Sequence, residues 1–389
     1  MRIARVANFV SPTSGGIKTT LDQLALGYAA HGHQVALVIP GAGDAVHDTD
    51  SGTVVTVRSP LIPRSGGYRI ITDLGRVKRI LKRYSPDRLE VHDRFTLRGL
   101  GPWARQLGVP TMAVIHERLD RLAGLYLPWV MRPQALARRD NLSLAGRFDT
   151  IVCPSRWSAR EFAGGAVQVV SWGVDLGLFH PDRRSQVLRR RLLADQTVLV
   201  AMVCRLSAEK NPLSALKALE HLRSGGVNAR LLVAGTGLLE KRMRRQASGL
   251  PVTFLGHVKG RGHVAELLAS ADVAICPGPL ETFGLAALES LASGTPVVGS
   301  RAGAVAELLD HPYGEAAYNH GPAMAGALAR LLQRGGQARH AARRRAESCG
   351  WPSAVRSMLD LHGLAPAGPP QHPGVHKAVP HDPQQQRTT

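Results

Sequence analysis

The chain has 389 residues, with 49 Lys and Arg against 29 Asp and Glu, for a formal net charge of +20. Hydrophobic residues make up 44% and charged residues 20%, a globular balance that excludes wholesale disorder at a length suited to two domains or one large one. No apolar run approaches the ~18 residues that would span a bilayer, no signal-like apolar core follows Met1, and Cys153, Cys204, Cys276 and Cys349 lie too far apart for a disulfide scaffold or a Cys-rich zinc site.

In chain order, Ile3–Phe9 is a short apolar run, and the loop Gly15-Gly16 follows it. A helix is expected from about Thr19 to Ala30, with Leu21, Leu24, Ala25 and Tyr28 as its apolar positions. Gly32 ends it, and Gln34–Ile39 is the next strand. Strand, glycine loop, helix and strand make a βαβ unit, so a parallel sheet is expected. Further strands are expected at Val54–Val57, Arg88–His92, Thr111–Ile115 and Thr150–Cys153. Between them, Gly75–Tyr84 alternates Arg76, Lys78, Arg79, Lys82 and Arg83 with Val77, Ile80 and Leu81. That is a short basic amphipathic helix, open to two readings: an interfacial membrane anchor, or a surface helix packed on the sheet.

The second half repeats the logic. Val198–Cys204 is a β-rich run, a helix is expected from about Pro212 to Leu222, and Ala229–Ala234 is a strand. Gly235-Thr236-Gly237 turns into a basic helix, Leu238–Ala247, before strands at Val252–Leu255, Val273–Cys276 and Pro296–Gly299. The fold class is therefore α/β, with two doubly wound, Rossmann-like domains facing each other across a cleft. The expected boundaries are 1–175 and 176–362, with the joint at Gly173–Pro181 and a last helix that can pack back on the first domain. Residues 363–389, rich in Pro, His and Gln, are expected to be disordered, and His372, His376 and His381 are read as incidental.

Charge, split along the chain, excludes a nucleic-acid arm. Residues 1–178 carry 23 basic and 14 acidic groups, residues 179–362 carry 24 and 14, and residues 363–389 carry 2 and 1. The excess is spread, so no nucleic-acid partner is expected. Arg outnumbers Lys 41 to 8, a bias of GC-rich codons. Asp48-Thr49-Asp50 has the spacing of a metal-binding DxD but lies among Gly and Ser, so it reads as a solvated loop. No metal and no cofactor are expected. Gly41-Ala42-Gly43 lacks the third glycine and the following helix of a dinucleotide site.

Residues 276–303 read CPGPLETFGLAALESLASGTPVVGSRAG. A helix is expected to start at Glu281-Thr282-Phe283-Gly284 and to carry Glu289. Eight residues are about two turns, or ~12 Å of rise, so both carboxylates fall near one face. Glu281 would then sit beside free N–H groups at a helix N-terminus, a place for phosphate. Glu289 suits a ribose diol. A capping carboxylate plus a surface Glu is the plainer alternative. Arg205 and Lys210, in VCRLSAEKN, emerge at the carboxyl edge of the second sheet, where ligands of open α/β sheets bind. Two fixed cations there suit a diphosphate, and the plainer alternative is an exposed pair bridged to Glu209.

With Gly15-Gly16, RLSAEKN, AGTG at Gly235 and Gly237, LGHV at Gly256–Val258, and the E-x7-E run from Glu281 to Glu289, the chain resembles the retaining glycosyltransferases of family 4, which have the GT-B fold. The resemblance covers about residues 1–362. It implies that Arg205 and Lys210 grip the donor diphosphate, that Glu281 contacts the transferred sugar, and that backbone N–H groups of Phe283-Gly284-Leu285 hold phosphate and sugar hydroxyls. It implies Glu289 on the ribose, the backbone at His257-Val258 on the base, and Gly16 close to the donor phosphate. His116, in AVIHERLD, is placed near the reacting sugar, with Glu117 and Asp120 as acceptor candidates.

The implied chemistry is hexosyl transfer from a nucleoside diphosphate sugar. No opposite-face nucleophile is legible, and the family implies same-face attack with the leaving phosphate as base. VANFVSPTSGGIKT, HERLDRLAG and PGPLETFGLAALESLASGTP resemble phosphatidylinositol mannosyltransferase C-type proteins of actinobacteria. That favours GDP-mannose and an acceptor lipid, in the cytoplasm or at the inner face of the plasma membrane. A UDP-N-acetylglucosamine donor with a small-molecule acceptor such as an aminoglycoside is the alternative, and Glu90, Asp93, Glu117 and Asp120 would suit a cationic acceptor. A sugar-nucleotide epimerase and an inactive basic binding protein are less favoured.

Overall fold

The computed structural model describes residues 1–10, 15–63, 65, 67–126, 133–162, 167–192 and 197–364. The first part runs β1 (Arg2–Ala7), α1 (Gly16–Ala30), β2 (Gln34–Gly41), β3 (Ala45–Thr49), β4 (Gly52–Arg58), α2 (Leu74–Tyr84) and β5 (Arg88–His92). It continues with α3 (Leu100–Gln106), β6 (Thr111–Val114), α4 (Leu119–Tyr126), α5 (Pro133–Ala145), β7 (Thr150–Cys153), α6 (Arg156–Ala159) and β8 (Val167–Val169). The second part runs α7 (Gln186–Arg191), β9 (Val198–Val203), α8 (Leu213–Ser224), β10 (Ala229–Ala234), α9 (Glu240–Gln246), β11 (Val252–Gly256) and α10 (Arg261–Ser270). Then come β12 (Val273–Cys276), α11 (Leu285–Ala292), β13 (Val297–Ser300), β14 (Gly314–Ala317), α12 (Gly321–Gln333), α13 (Gly335–Glu347) and α14 (Trp351–Leu361).

Two sheets result, in the orders β3-β4-β2-β1-β5-β6-β7-β8 and β11-β10-β9-β12-β13-β14. Every pairing is parallel except β3 with β4. The inner strands read as apolar runs because helices cover both faces of a parallel sheet. In β9, for example, Leu199, Val200, Ala201 and Met202 are all buried. Strand order reverses between β1 and β5 in the first sheet and between β9 and β12 in the second. A doubly wound sheet opens its crevice at such a reversal, at the carboxyl ends of the strands.

The last helix crosses back. Trp351, Val355, Met358 and Leu359 of α14 share a hydrophobic cluster with Ile3, Leu24 and Tyr28 of the first sheet unit and with Phe283 and Leu288 of the second. Gly27 of α1 makes room for it: a Cβ there would lie 2.3 Å from Val355 Cγ2. Leu364 belongs to the same cluster, so residues 363 and 364 are ordered parts of the fold rather than the start of a tail. The expectation of disorder beyond them falls on residues outside the described set.

Two further expectations are corrected, and one open pair of readings is narrowed. The stretch before Val54 is not a loop throughout: Ala45–Thr49 forms the antiparallel edge strand β3, and Asp48 accepts from Thr53 Oγ1 at 2.7 Å. Alternation with polar residues hid it, since an edge strand needs little apolar surface. The helix after Glu281 starts later than expected, at Leu285, because Gly284 caps it with a φ of 100°. Finally, α2 turns Val77 and Leu81 into the core of the first unit. Its apolar face is therefore used up, and Arg79, Lys82 and Arg83 remain exposed.

Gly27→Ala tests the docking of α14. In an open helix this change stabilises by about 0.5–1 kcal/mol. Here the stiff β-branched Val355 stands in the way, so urea denaturation is expected to show a loss of about 1–3 kcal/mol. A gain in stability would contradict this packing.

Candidate active site

Both crevices open toward each other, and the side chains singled out by the sequence gather there unequally. At the carboxyl end of β9, a single turn of 3-10 helix (Ala208–Lys210) carries Lys210, and Asn211 closes it in the left-handed region at φ 45°. Lys210 Nζ lies 2.6 Å from Glu281 Oε1. Burial works against the ammonium, but the Glu281 carboxylate outweighs it and raises the lysine pKa above its ordinary value. Lys210 and Glu281 line one small pocket with Cys204, Cys276 and Gly284.

Glu281 is in the loop before α11 and not in its first turn. Three contacts fix that loop. Ala304 N donates to the Glu281 carbonyl at 2.8 Å, Thr282 Oγ1 donates to the His116 carbonyl at 2.7 Å, and Ser155 Oγ donates to the Thr282 carbonyl at 2.6 Å. Thr282 thus ties the second unit to the first. Phe283 is a core residue, so only its backbone can serve a ligand. The leading N–H groups of α11 have no partner within the helix. Gly16, which opens α1, stands opposite: a Cβ there would lie 3.4 Å from Leu285 Cδ1, an ordinary contact. Two helix N-termini therefore meet beside the Lys210–Glu281 pair.

Arg205 is half-exposed and, as the plainer reading expected, bridges to Glu209 at 2.9 Å. It also donates to the Tyr68 hydroxyl at 2.8 Å and packs on that ring at 5.3 Å. The Tyr126 hydroxyl donates to Glu209 at 2.6 Å. Burial would raise the Glu209 carboxyl, but Ser207, Tyr126 and Arg205 together hold it below its usual range. Two tyrosines of the first unit thus close over the cation loop of the second. Neither was legible: Tyr68 lies 137 residues from Arg205, and no local pattern marks it.

Glu289 sits inside α11, partly buried, with Arg261 Nη2 at 3.3 Å. Burial pushes its carboxyl up to about 7 against the pull of Arg261. Gly235 and Gly237 have a reason of their own, because a Cβ would lie 1.9 Å from the Cys204 carbonyl and 2.4 Å from the Leu206 carbonyl. They seat the loop that carries Arg205. Val258, after β11, packs beside Leu199, Leu232 and Leu267.

On the first unit, His116 follows β6 with its ring against His92 and Trp172. Its burial lowers the pKa well below the usual value, so it is neutral. Glu117 is beside it, pushed up to about 7 by burial, with Arg94 acting the other way. Asp120 is engaged by Arg118, which donates to both its oxygens, at 3.0 and 2.6 Å. Glu90 and Asp93 are removed from the list of lining residues. Glu90 is fully buried in an ion pair with Arg5 at 2.7 Å, and Asp93 accepts from the backbone N–H groups of Phe95 and Leu97. Among the described residues, no cluster of three His, Cys, Asp or Glu side chains is placed to hold a metal ion.

Comparison with known proteins agrees with this geometry. The family model for glycosyl transferases group 1 matches residues 185–348, and that for glycosyltransferase family 4 matches residues 14–178. The chain is 45% identical over 368 residues to the GDP-mannose-dependent alpha-(1-6)-phosphatidylinositol dimannoside mannosyltransferase of Mycobacterium tuberculosis (strain ATCC 25177 / H37Ra), covering 93% of this chain and 96% of that protein. It is 31% identical over 377 residues to a GDP-mannose-dependent alpha-mannosyltransferase of Mycobacterium tuberculosis (strain CDC 1551 / Oshkosh), covering 92% and 95%. The sucrose-phosphate synthase of Thermosynechococcus elongatus superposes with a TM-score of 0.77 at 18% identity, covering 93% and 98%, a likeness of fold. With a family model on each sheet unit and the two strand-order reversals facing one another, the chain belongs to glycosyltransferase family 4, the retaining nucleotide-sugar-dependent hexosyltransferases of GT-B fold.

Proposed function

We propose that this chain transfers a mannosyl residue from GDP-mannose to a hydroxyl of a phosphatidylinositol mannoside-type glycolipid, with retention of configuration. One observation carries the reading: a lysine held 2.6 Å from a glutamate where two helix N-termini meet. Such a place suits a diphosphate joined to a sugar. The donor and acceptor are those of the mannosyltransferase that is 45% identical.

The anomeric C–O bond to the diphosphate breaks, and the acceptor oxygen bonds to the same face of that carbon. The departing phosphate takes the acceptor proton. Lys210 and Arg205 neutralise the charge that develops on the leaving diphosphate. Glu281, freed from Lys210 as phosphate takes its place, turns to the transferred sugar. The N–H groups of Phe283, Gly284 and Leu285 take phosphate and sugar oxygens. Nothing in the protein itself forbids a methyl group at Gly16, and close approach of the donor phosphate supplies the reason for glycine. Glu289 takes the ribose diol, and the backbone at His257-Val258 takes the base. His116 and Glu117 face the sugar and the acceptor. Closure of Tyr68 and Tyr126 over the cation loop excludes water from the donor.

In this reading residues 1–175 bind the acceptor and residues 176–362 the donor. No helix among the described residues is long and apolar enough to cross a membrane. Exposed Arg79, Lys82 and Arg83 of α2 give an electrostatic contact with anionic lipid at the inner face of the plasma membrane, without insertion of the buried Val77 and Leu81.

A thermal-shift comparison tests the donor: GDP is expected to raise the melting temperature more than UDP at equal concentration. Stronger stabilisation by UDP would move the assignment to the UDP-N-acetylglucosamine reading. The ribose role has its own pH signature. Below about 7 Glu289 is protonated, and one of its oxygens turns from acceptor to donor. GDP affinity, measured by calorimetry, is expected to fall as pH drops through that value, and Glu289→Gln to flatten the fall. An equal slope in both proteins would remove Glu289 from the ribose.

A further inference from the structure

A chain of buried polar side chains runs from the end of α14 to His116. At its centre is Glu90 of β5. Its Oε1 accepts from the Tyr28 hydroxyl at 2.6 Å and from His362 Nε2 at 2.8 Å. Its Oε2 accepts from Arg5 Nε at 2.7 Å and from His92 Nε2 at 3.0 Å. Burial opposes the charge on Glu90, but Arg5, His362 and His92 hold its carboxyl well below the usual range. It is an anion, and an anion only accepts.

That fixes each proton in turn. His92 is neutral, pushed down by burial to about 4, and so carries one ring proton. Arg5 Nη2 lies 3.4 Å from His92 Nε2 but is itself a donor, whereas the nearer Glu90 oxygen needs one. The proton is therefore on His92 Nε2, and His92 Nδ1 is bare. That atom lies 2.9 Å from His116 Nε2. The ring planes differ by 21° with centroids 5.2 Å apart, which suits an edge-to-edge hydrogen bond. His116 Nε2 is then the donor. His116 is neutral too, so its Nδ1 is left bare, and no described residue offers it a hydrogen bond.

We propose that Glu90 and His92 are positioning residues that lock His116 in the tautomer protonated on Nε2, so that it offers Nδ1 as a hydrogen-bond acceptor to a hydroxyl of the transferred sugar. His362 completes the set of donors around Glu90. Arg88 Nε also holds the His362 carbonyl at 2.8 Å, so the C-terminal helix is joined to the same chain. The sugar contact rests on the glycosyl-transfer reading above, whereas the tautomer does not.

Histidine-labelled NMR of the full chain reads the tautomer directly. A bare Nδ1 on His116 in the wild type is expected, and a protonated Nδ1 overturns the proposal whatever the substrate proves to be. His92→Leu removes the acceptor, whereas the side-chain oxygen of His92→Asn takes the place of Nδ1. In His92→Leu, kcat is expected to fall roughly tenfold, the loss of about one hydrogen bond, with KM for the nucleotide sugar little changed. His92→Asn is expected to recover most of it. Full turnover in His92→Leu, or no recovery in His92→Asn at equal thermal stability, would overturn the positioning role.

Discussion

The ion pair between Lys210 and Glu281 is the contact on which the site depends. The two residues come from loops after different strands, β9 and β12, which pair side by side at the strand-order reversal. A charge pair of this kind is stable only where each partner is held, since a half-buried ammonium without its carboxylate is costly. Here Asn211 closes the lysine turn, and Ala304 and Thr282 hold the glutamate loop. Gly278 allows the loops to approach: a Cβ there would lie 3.3 Å from Lys210 Cα. In the proposed reading, the pair keeps a cation in place for a phosphate and a carboxylate in place for a sugar.

The rest of the architecture brings the second crevice to the first. The clustered apolar faces of α14, α1 and α11 join both sheet units. Thr282 and Ser155 then set the Glu281 loop against His116 through backbone carbonyls. The apolar cluster supplies adhesion without direction, while the hydrogen bonds supply register. The tyrosines over Arg205 and Glu209 add a third link at the rim, exposed to solvent.

Much of this was legible in local sequence. The strands were, because buried parallel strands leave apolar runs, and so was the placement of Arg205, Lys210 and Glu281 after strand ends. Other features depend on distance or backbone angle, which a sequence does not display. Glu90 reads as a lining carboxylate in the sequence, but its partner His362 lies 272 residues away. Asp120 reads as free, but Arg118 engages it. The onset of α11 moved to Leu285 because Gly284 adopts a positive φ, a choice glycine permits but does not announce. The basic helix α2 left two readings open because alternation alone does not say which face meets a core.

The most direct measurement is transfer of mannose from GDP-mannose to a phosphatidylinositol mannoside by Lys210→Ala beside the wild type, with folding checked by thermal denaturation. Loss of the cation that answers the departing diphosphate predicts a fall in kcat of about a hundredfold or more, with the fold retained. Turnover equal to the wild type in a folded Lys210→Ala protein would contradict the account.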